Sequence, residues 1–205
     1  MTRNKGRSSL KRTAILGAAI DEFGENGFLG ASMDRIAALA DVSKRTVYNH
    51  FPSKEDLFMA IVEQMMMQIK EAAHIQYDPD RSIDQQLLQL AKQEIELLTS
   101  EGFLQLAKIG IAEAFHSPER VQQAMASINV GENHFIQWLR KVSDLGLMTI
   151  DDVDLAAEQF FGLIKASAFW PAMIKGQQPL GNQGQEQVAR ETVAMFLARY
   201  GEDGH

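Results

Sequence analysis

Apolar residues return along this chain every three or four positions, and strand-like alternation never lasts more than a few residues. Residues 9–26 carry Leu16, Ile20 and Phe23 on one face and are expected to form an opening helix that ends across Gly24 to Gly27. Met33, Ile36, Ala37 and Ala40 mark a short helix, and a second short one follows over residues 43–50. From Ser53 a longer helix runs through LFMAIVEQMMMQIKEAAHI until Asp78-Pro79-Asp80 stops it. Residues 83–99 place Leu87, Leu90, Ala91, Glu94, Leu97 and Leu98 at helical spacing, and 103–116 do so with Phe103, Leu106, Ala107, Ile111 and Phe115. Pro118 is expected to open one long helix to about Leu145, carrying Val121, Met125, Phe135, Trp138, Leu139 and Val142. Residues 152–174 and 186–200 complete the series, separated by the polar, glycine-rich QQPLGNQGQ. The pattern predicts an all-α chain of about nine helices, with no internal repeat and no low-complexity tract.

The segment SMDRIAALADVSKRTVYNHFPSKEDLF, residues 32–58, reads as a helix-turn-helix followed at once by a third helix. Ser32 is an N-cap with Asp34 in the first turn, where a carboxylate meets the positive end of the helix dipole. Asp41-Val42 makes the turn, and Ser43 caps a second helix whose polar face carries Lys44, Arg45, Thr46, Tyr48, Asn49 and His50. Pro52 ends that helix, and Ser53 with Asp56 forms a box-like cap on the next. A short helix crowded with forked donors, amides and hydroxyls suits reading base edges and holding phosphates.

This segment resembles the TetR family of bacterial transcription regulators. The resemblance rests on Gly27-Phe28, Ser32-Met33, Ile36-Ala37, Val42-Ser43, Thr46-Val47-Tyr48, His50-Phe51, Lys54 and Leu57. It implies a helical protein that binds operator DNA as a homodimer and releases it on binding a small molecule. It also implies that Ser32, Tyr48, His50 and Lys54 touch phosphates while Lys44, Arg45, Thr46 and Asn49 face bases, with Ser43 at the start of the reading helix. Many members carry glycine where this chain has Arg45, which is expected here to read a guanine. Further along, LGLMTIDDVDLAAEQFFGLIKASAFWPAMI looks like the effector domains of the AefR-like branch. The expected organisation is a three-helix DNA-binding head of residues 1–52 and an effector-binding and dimerisation body of 53–205, the helix from Ser53 shared between them.

Charge changes the picture only once it is divided along the chain. The 205 residues have a net charge of −7, which alone argues against a nucleic-acid partner. Residues 1–60, however, hold nine Lys/Arg against seven Asp/Glu, and the remainder eleven against twenty. Arg3, Lys5, Arg7, Lys11 and Arg12 precede the first acid, the footprint of a small DNA-binding head on an acidic body. There is no cysteine, hence no disulfide framework or thiolate metal site. No stretch approaches the roughly 18 uninterrupted apolar residues of a membrane span, and the basic start has no apolar stretch behind it. The chain is expected in the cytoplasm, without membrane contact.

Two Glu-x-x-His pairs, Glu71 with His74 and Glu113 with His116, form the rival reading: with Glu94, Glu96 or Glu158 they would supply a di-iron site in a helical bundle. Against it, such pairs arise by chance in acidic helices, and no metal or other cofactor is expected. Nucleophile elbows and phosphate loops are absent from the sequence, so an enzyme is not expected, and His134 reads as a partly buried histidine or a pocket hydrogen bonder. A regulator body needs a cavity, and Phe103, Ala107, Phe115, His116, Phe135, Trp138 and Phe161 are the residues expected to line it, with His116 the polar contact. The apolar bias, with the Met65-Met66-Met67 run as adaptable lining, suggests a largely hydrophobic effector. The helix over 152–174 is apolar on more than one face, which a second copy of the chain would cover. Leu155, Phe160, Ile164, Phe169, Val193, Phe196 and Leu197 are the expected dimer contacts. A DNA-binding head on a purely protein-binding body is the remaining alternative.

Overall fold

A computed structural model describes residues 2–127 and 133–201, with side chains from residue 7 onward. Arg3 and Lys5 of the basic arm therefore lie outside the described side chains. The described residues form eleven α-helices: α1 (Thr2–Gly30), α2 (Met33–Leu39), α3 (Lys44–His50), α4 (Lys54–Ala72), α5 (Ile83–Thr99), α6 (Glu101–His116), α7 (Pro118–Ser127), α8 (His134–Asp144), α9 (Val153–Ala168), α10 (Trp170–Lys175) and α11 (Asn182–Tyr200).

Three departures from the expected elements have local causes. The opening helix does not stop at Gly24 to Gly27: it kinks at Gly27 (φ 66°, ψ 168°) and makes a further turn to Gly30. That backbone region is essentially restricted to glycine. The single helix expected over 118–145 is two, because Asn133 is extended (φ −74°, ψ 112°) and its side chain accepts a hydrogen bond from Phe135 N–H, starting α8 afresh. Its middle, residues 128–132, lies outside the described residues. The helix expected over 152–174 ends at Ala168, and a short α10 follows with Pro171 in its first turn, where a missing N–H costs nothing.

The chain divides into two compact units, residues 1–66 with 105–129, and residues 67–104 with 130–205. The helix from Lys54 thus starts in the first unit and ends in the second, and α6 runs the opposite way. In the first unit, Phe23, Phe28, Ile36, Val47, Phe51, Leu57, Phe58 and Ile61 form a core that Leu106, Ile109 and Ala124 complete. Phe28 stands edge-on to Phe58 at 5.7 Å and tilted to Phe23 at 5.6 Å. In the second unit, α11 packs on α5 and α9, and α8 on α9. Phe135 lies at its centre, 5.0 Å from Phe160 and 5.3 Å from Phe161.

Candidate nucleic-acid interface

The geometry of α2 and α3 follows from three serine caps. Ser32 is extended (φ −128°, ψ 128°), and its hydroxyl accepts Asp34 N–H at 3.2 Å. Ser43 accepts Thr46 N–H at 3.2 Å, and Ser53 closes a reciprocal cap with Asp56 through bonds of 2.6 and 3.1 Å. Between α2 and α3, Asp41 takes a left-handed conformation (φ 50°) that aspartate tolerates better than most residues. Of the seven residues of α3, Val47 is the one sunk into the core. Lys44, Arg45, Tyr48 and Asn49 are consequently exposed, with Thr46 and His50 half-buried beside them.

These side chains are not equally free. Lys44 Nζ lies 2.5 Å from Asp34 Oδ2, an exposed pair that competing phosphates can open. Arg45 makes no hydrogen bond or ion pair among the described residues, so its fork of donors is uncommitted. Lys54 is committed: its ammonium is 3.2 Å from both Leu29 O and Ala31 O and sits 4.8 Å over the Phe28 ring. In the free protein it ties the corner between α1 and α2. Arg7 and Lys11 of the arm are exposed, while the Arg12 guanidinium lies 4.9 Å over Phe51.

Between α1 and α2 lies a polar anchor that the sequence reading misses. Glu22 is 2 % exposed, and its Oε1 accepts Ser32 N–H at 3.0 Å and Arg35 Nε–H at 2.7 Å; Oε2 accepts Asn26 Nδ2–H at 3.1 Å. The bond from Arg35 holds this carboxyl below its ordinary value despite the opposing effect of burial. The signal was available, since Glu22 falls on the stripe of Ile15, Ala18, Ala19 and Phe23. On the same unit, Arg120 of α7 pairs with buried Glu113 of α6 and stacks 4.1 Å over Phe28.

In the other helices the structure redistributes the expected residues. Phe115 is 84 % exposed and His116 is exposed too: the buried face of α6 runs through Leu106, Ile109 and Glu113, and the last turn points them away from it. Phe103, Ala107, Phe135 and Trp138 are buried and Phe161 half-buried. Phe160, Ile164, Phe169, Val193 and Phe196 are buried inside the chain's own core, which leaves them nothing to offer a partner. Leu155 is 46 % exposed and Leu197 half-buried, and Trp170, Ile174 and Met195 are further exposed apolar residues of these last helices. The di-iron arrangement does not assemble: Glu113 is held by Arg120, Glu71 is exposed, and His74 Nδ1 lies 2.9 Å from His134 Nδ1. Among the described residues no group of three or more metal-binding side chains converges.

The second unit contains polar hollows. One of about 260 Å³ is lined by His74, Arg81, Gln86, Gln89 and Gln93, among others, and a more open groove of about 420 Å³ by Glu71, Gln93, Glu96 and Ser100. Glu94, 2 % exposed, has no hydrogen-bond partner for Oε2, and burial pushes its carboxyl up to about 7 against the pull of the Lys165 charge. No helix among the described residues is long and apolar enough to cross a membrane.

Comparison with known proteins points to one family over most of the chain. Residues 15–61 match the family model of bacterial regulatory proteins of the tetR family, and residues 85–202 that of the AefR-like transcriptional repressor C-terminal domain. The regulator RutR of Escherichia coli K12 is 47% identical over 58 residues, 28% of this chain and only 27% of RutR. The repressor SCO4008 of Streptomyces coelicolor is 29% identical over 168 residues, 80% of this chain and 79% of that protein. The crystal structure of a TetR family transcriptional regulator from Pseudomonas syringae pv. tomato DC3000 superposes with a TM-score of 0.83 at 41% identity, covering 95% of this chain and 98% of that one. The chain belongs to the TetR family of bacterial transcriptional regulators, its helix-turn-helix followed by a C-terminal domain of the AefR-like repressor type.

Proposed function

We propose that this regulator is a cytoplasmic repressor that binds a pseudo-palindromic operator as a homodimer and leaves it when a small molecule occupies the body. The observation that carries the reading is the outer face of α3, where Lys44, Arg45, Tyr48 and Asn49 stand exposed on a helix fixed by Ser43 and Val47. Two such helices enter successive major grooves about one turn, roughly 34 Å, apart. Arg45 reads a base, Thr46 and Asn49 support it, and Ser32, Tyr48, His50 and the arm hold phosphates. Lys54 reaches a phosphate only by giving up a carbonyl, so its share of affinity is smaller than that of Arg45. Repression as the sign of regulation is supported by the relative named a repressor, SCO4008. The effector acts through α4, a continuous helix that leaves the head's core and ends among the body's residues. By linkage, operator DNA weakens effector binding by the factor by which effector weakens DNA binding.

The test is selection of bound fragments from sheared genomic DNA of the source organism, with Arg45→Ala alongside. A short palindrome recovered by the wild type and lost by the variant is expected, with a loss of about 1–3 kcal/mol confined to one base pair per half-site. Equal loss on every sequence would reduce Arg45 to a phosphate contact, and no enrichment at all would remove the sequence-specific reading.

A further inference from the structure

We infer that the hollow between α5 and the segment that follows α4 is a subsite for the carboxylate of a small organic acid, which gives the effector its chemical class. This rests on the effector-responsive reading above. The hollow measures about 260 Å³, and no acid is among the residues that line it. Its walls are instead a stock of hydrogen-bond donors. Arg81 gives one N–H of Nη1 to Gln89 Oε1 at 2.6 Å and one of Nη2 to Gln85 O at 3.3 Å, leaving three of its five. Among the described residues no carboxylate pairs with it. Accepting from Arg81 through its oxygen, Gln89 keeps its NH₂ free, and the Gln93 amide makes no hydrogen bond among the described residues. His74 Nδ1 shares a hydrogen bond with His134 Nδ1 at 2.9 Å, and with His134 as the donor His74 Nε2–H is left to give.

The site is built rather than incidental. Buried Gln86 makes four bonds: its oxygen accepts Asp78 N–H at 3.0 Å and Trp138 Nε1–H at 3.1 Å, and its NH₂ donates to Asp78 O at 2.9 Å and Arg81 O at 2.8 Å. The turn carrying Arg81 is thereby fixed against α5, and His74, also in the lining, is held by His134. A single uncompensated guanidinium matches one negative charge, and its planar fork matches a carboxylate. A dianion would leave one charge unmatched. The neighbouring groove, with Glu71 and Glu96 in its lining, repels such a ligand and marks the limit of the subsite.

The experiment is calorimetric titration of the full-length protein with benzoate and butyrate, each paired with its uncharged amide, followed by operator-release assays with the same four compounds. The acids are expected to bind and the amides not. Arg81→Gln and the space-filling Gln93→Leu, each verified as folded by circular dichroism, are expected to weaken acid binding by at least about tenfold. Absence of acid binding, amides binding as well as acids, or acid binding unchanged in both variants would overturn the carboxylate subsite. Acids that bind in this way without freeing the operator uphold the subsite and remove effector-driven release. Release by an uncharged apolar compound, with no acid binding, does the reverse.

Discussion

Glu22 and Glu94 are both buried carboxyls, and their surroundings give them opposite roles. Glu22 gains a bond from Arg35 and two further donors, so its folded pKa lies below the ordinary 4.5. Its contribution is complete above that ordinary value and is lost as pH falls through the depressed one. Glu22→Gln is expected to destabilise the head by about 1–2 kcal/mol at pH 7. Thermal melts should show that gap closing as pH drops below 4.5, and a gap constant with pH would separate Glu22 from the charge argument. Glu94 gains no partner for Oε2, and burial raises it to about 7. Here the folded form favours the proton, so stability present below 4.5 is lost as pH rises through about 7. Glu94→Gln removes an ionisation the interior penalises, and at pH 8 it is expected to stabilise the body by about 2 kcal/mol in denaturant titrations. A variant less stable than wild type at pH 8 as well as pH 5 would instead give Glu94 a structural bond. Sequence reasoning placed Glu94 on the apolar face of its helix, but which carboxyl finds a partner depends on residues ten or more positions away, as Arg35 is from Glu22.

Among the elements, caps carried by serine at the head of an apolar run are legible in the sequence, whereas a break carried by an asparagine or a glycine inside a helical pattern is not. The caps at Ser32, Ser43 and Ser53, and the reading helix between Ser43 and Pro52, follow from side chains two or three positions apart. The division at Asn133 was missed because asparagine is an ordinary residue on a solvated helix face until its cap is seen. In the sequence, Gly24 to Gly27 read as a helix terminus, whereas the helix kinks at Gly27 and continues. An added Cβ there meets no atom within 4 Å, so the requirement is one of backbone conformation and not of space. Gly27→Ala is therefore expected to cost about 1–3 kcal/mol, measured by far-ultraviolet melting, with α3 and its contacts otherwise unchanged. A neutral result would mean that the last turn of α1 swings to an ordinary geometry at no cost. The pocket and partner residues suffered from the same limit: helical spacing identifies apolar positions but not which of a helix's two apolar faces is used up inside the chain. Phe160 and Phe196 are spent in the core, whereas Ile174 and Trp170 are left outside.

At the scale of the molecule, those exposed residues and the division of charge make the proposed assembly testable. Ile174 is 75 % exposed and Trp170 42 % exposed, on the short α10 that packs against α9. If the dimer forms there, Ile174→Glu is expected to yield monomers in light scattering with helicity preserved and operator affinity lost; a surviving dimer would move the interface elsewhere. Binding to DNA should also fall steeply with salt, since each phosphate that the basic residues of 1–60 neutralise releases counterions. Charge and the helix-turn-helix lead the sequence reading to a head of residues 1–52 and a body of 53–205, whereas the two compact units are residues 1–66 with 105–129 and 67–104 with 130–205. The membership of residues 105–129 in the first unit was not legible, because nothing local announces that Leu106, Ile109 and Ala124 finish the core of a head more than forty residues upstream.

That shared core sets a rule for recombination. A fragment cut after residue 66 would expose the apolar surface that Leu106, Ile109 and Ala124 cover, and would leave Phe28 without the Arg120 guanidinium above it. Chimaeras that graft this head onto a related body by a single crossover near α4 would inherit a mismatched seam. Exchange of DNA specificity between such regulators would proceed by changing the outer residues of α3 alone, or by transplanting two discontinuous pieces of chain together.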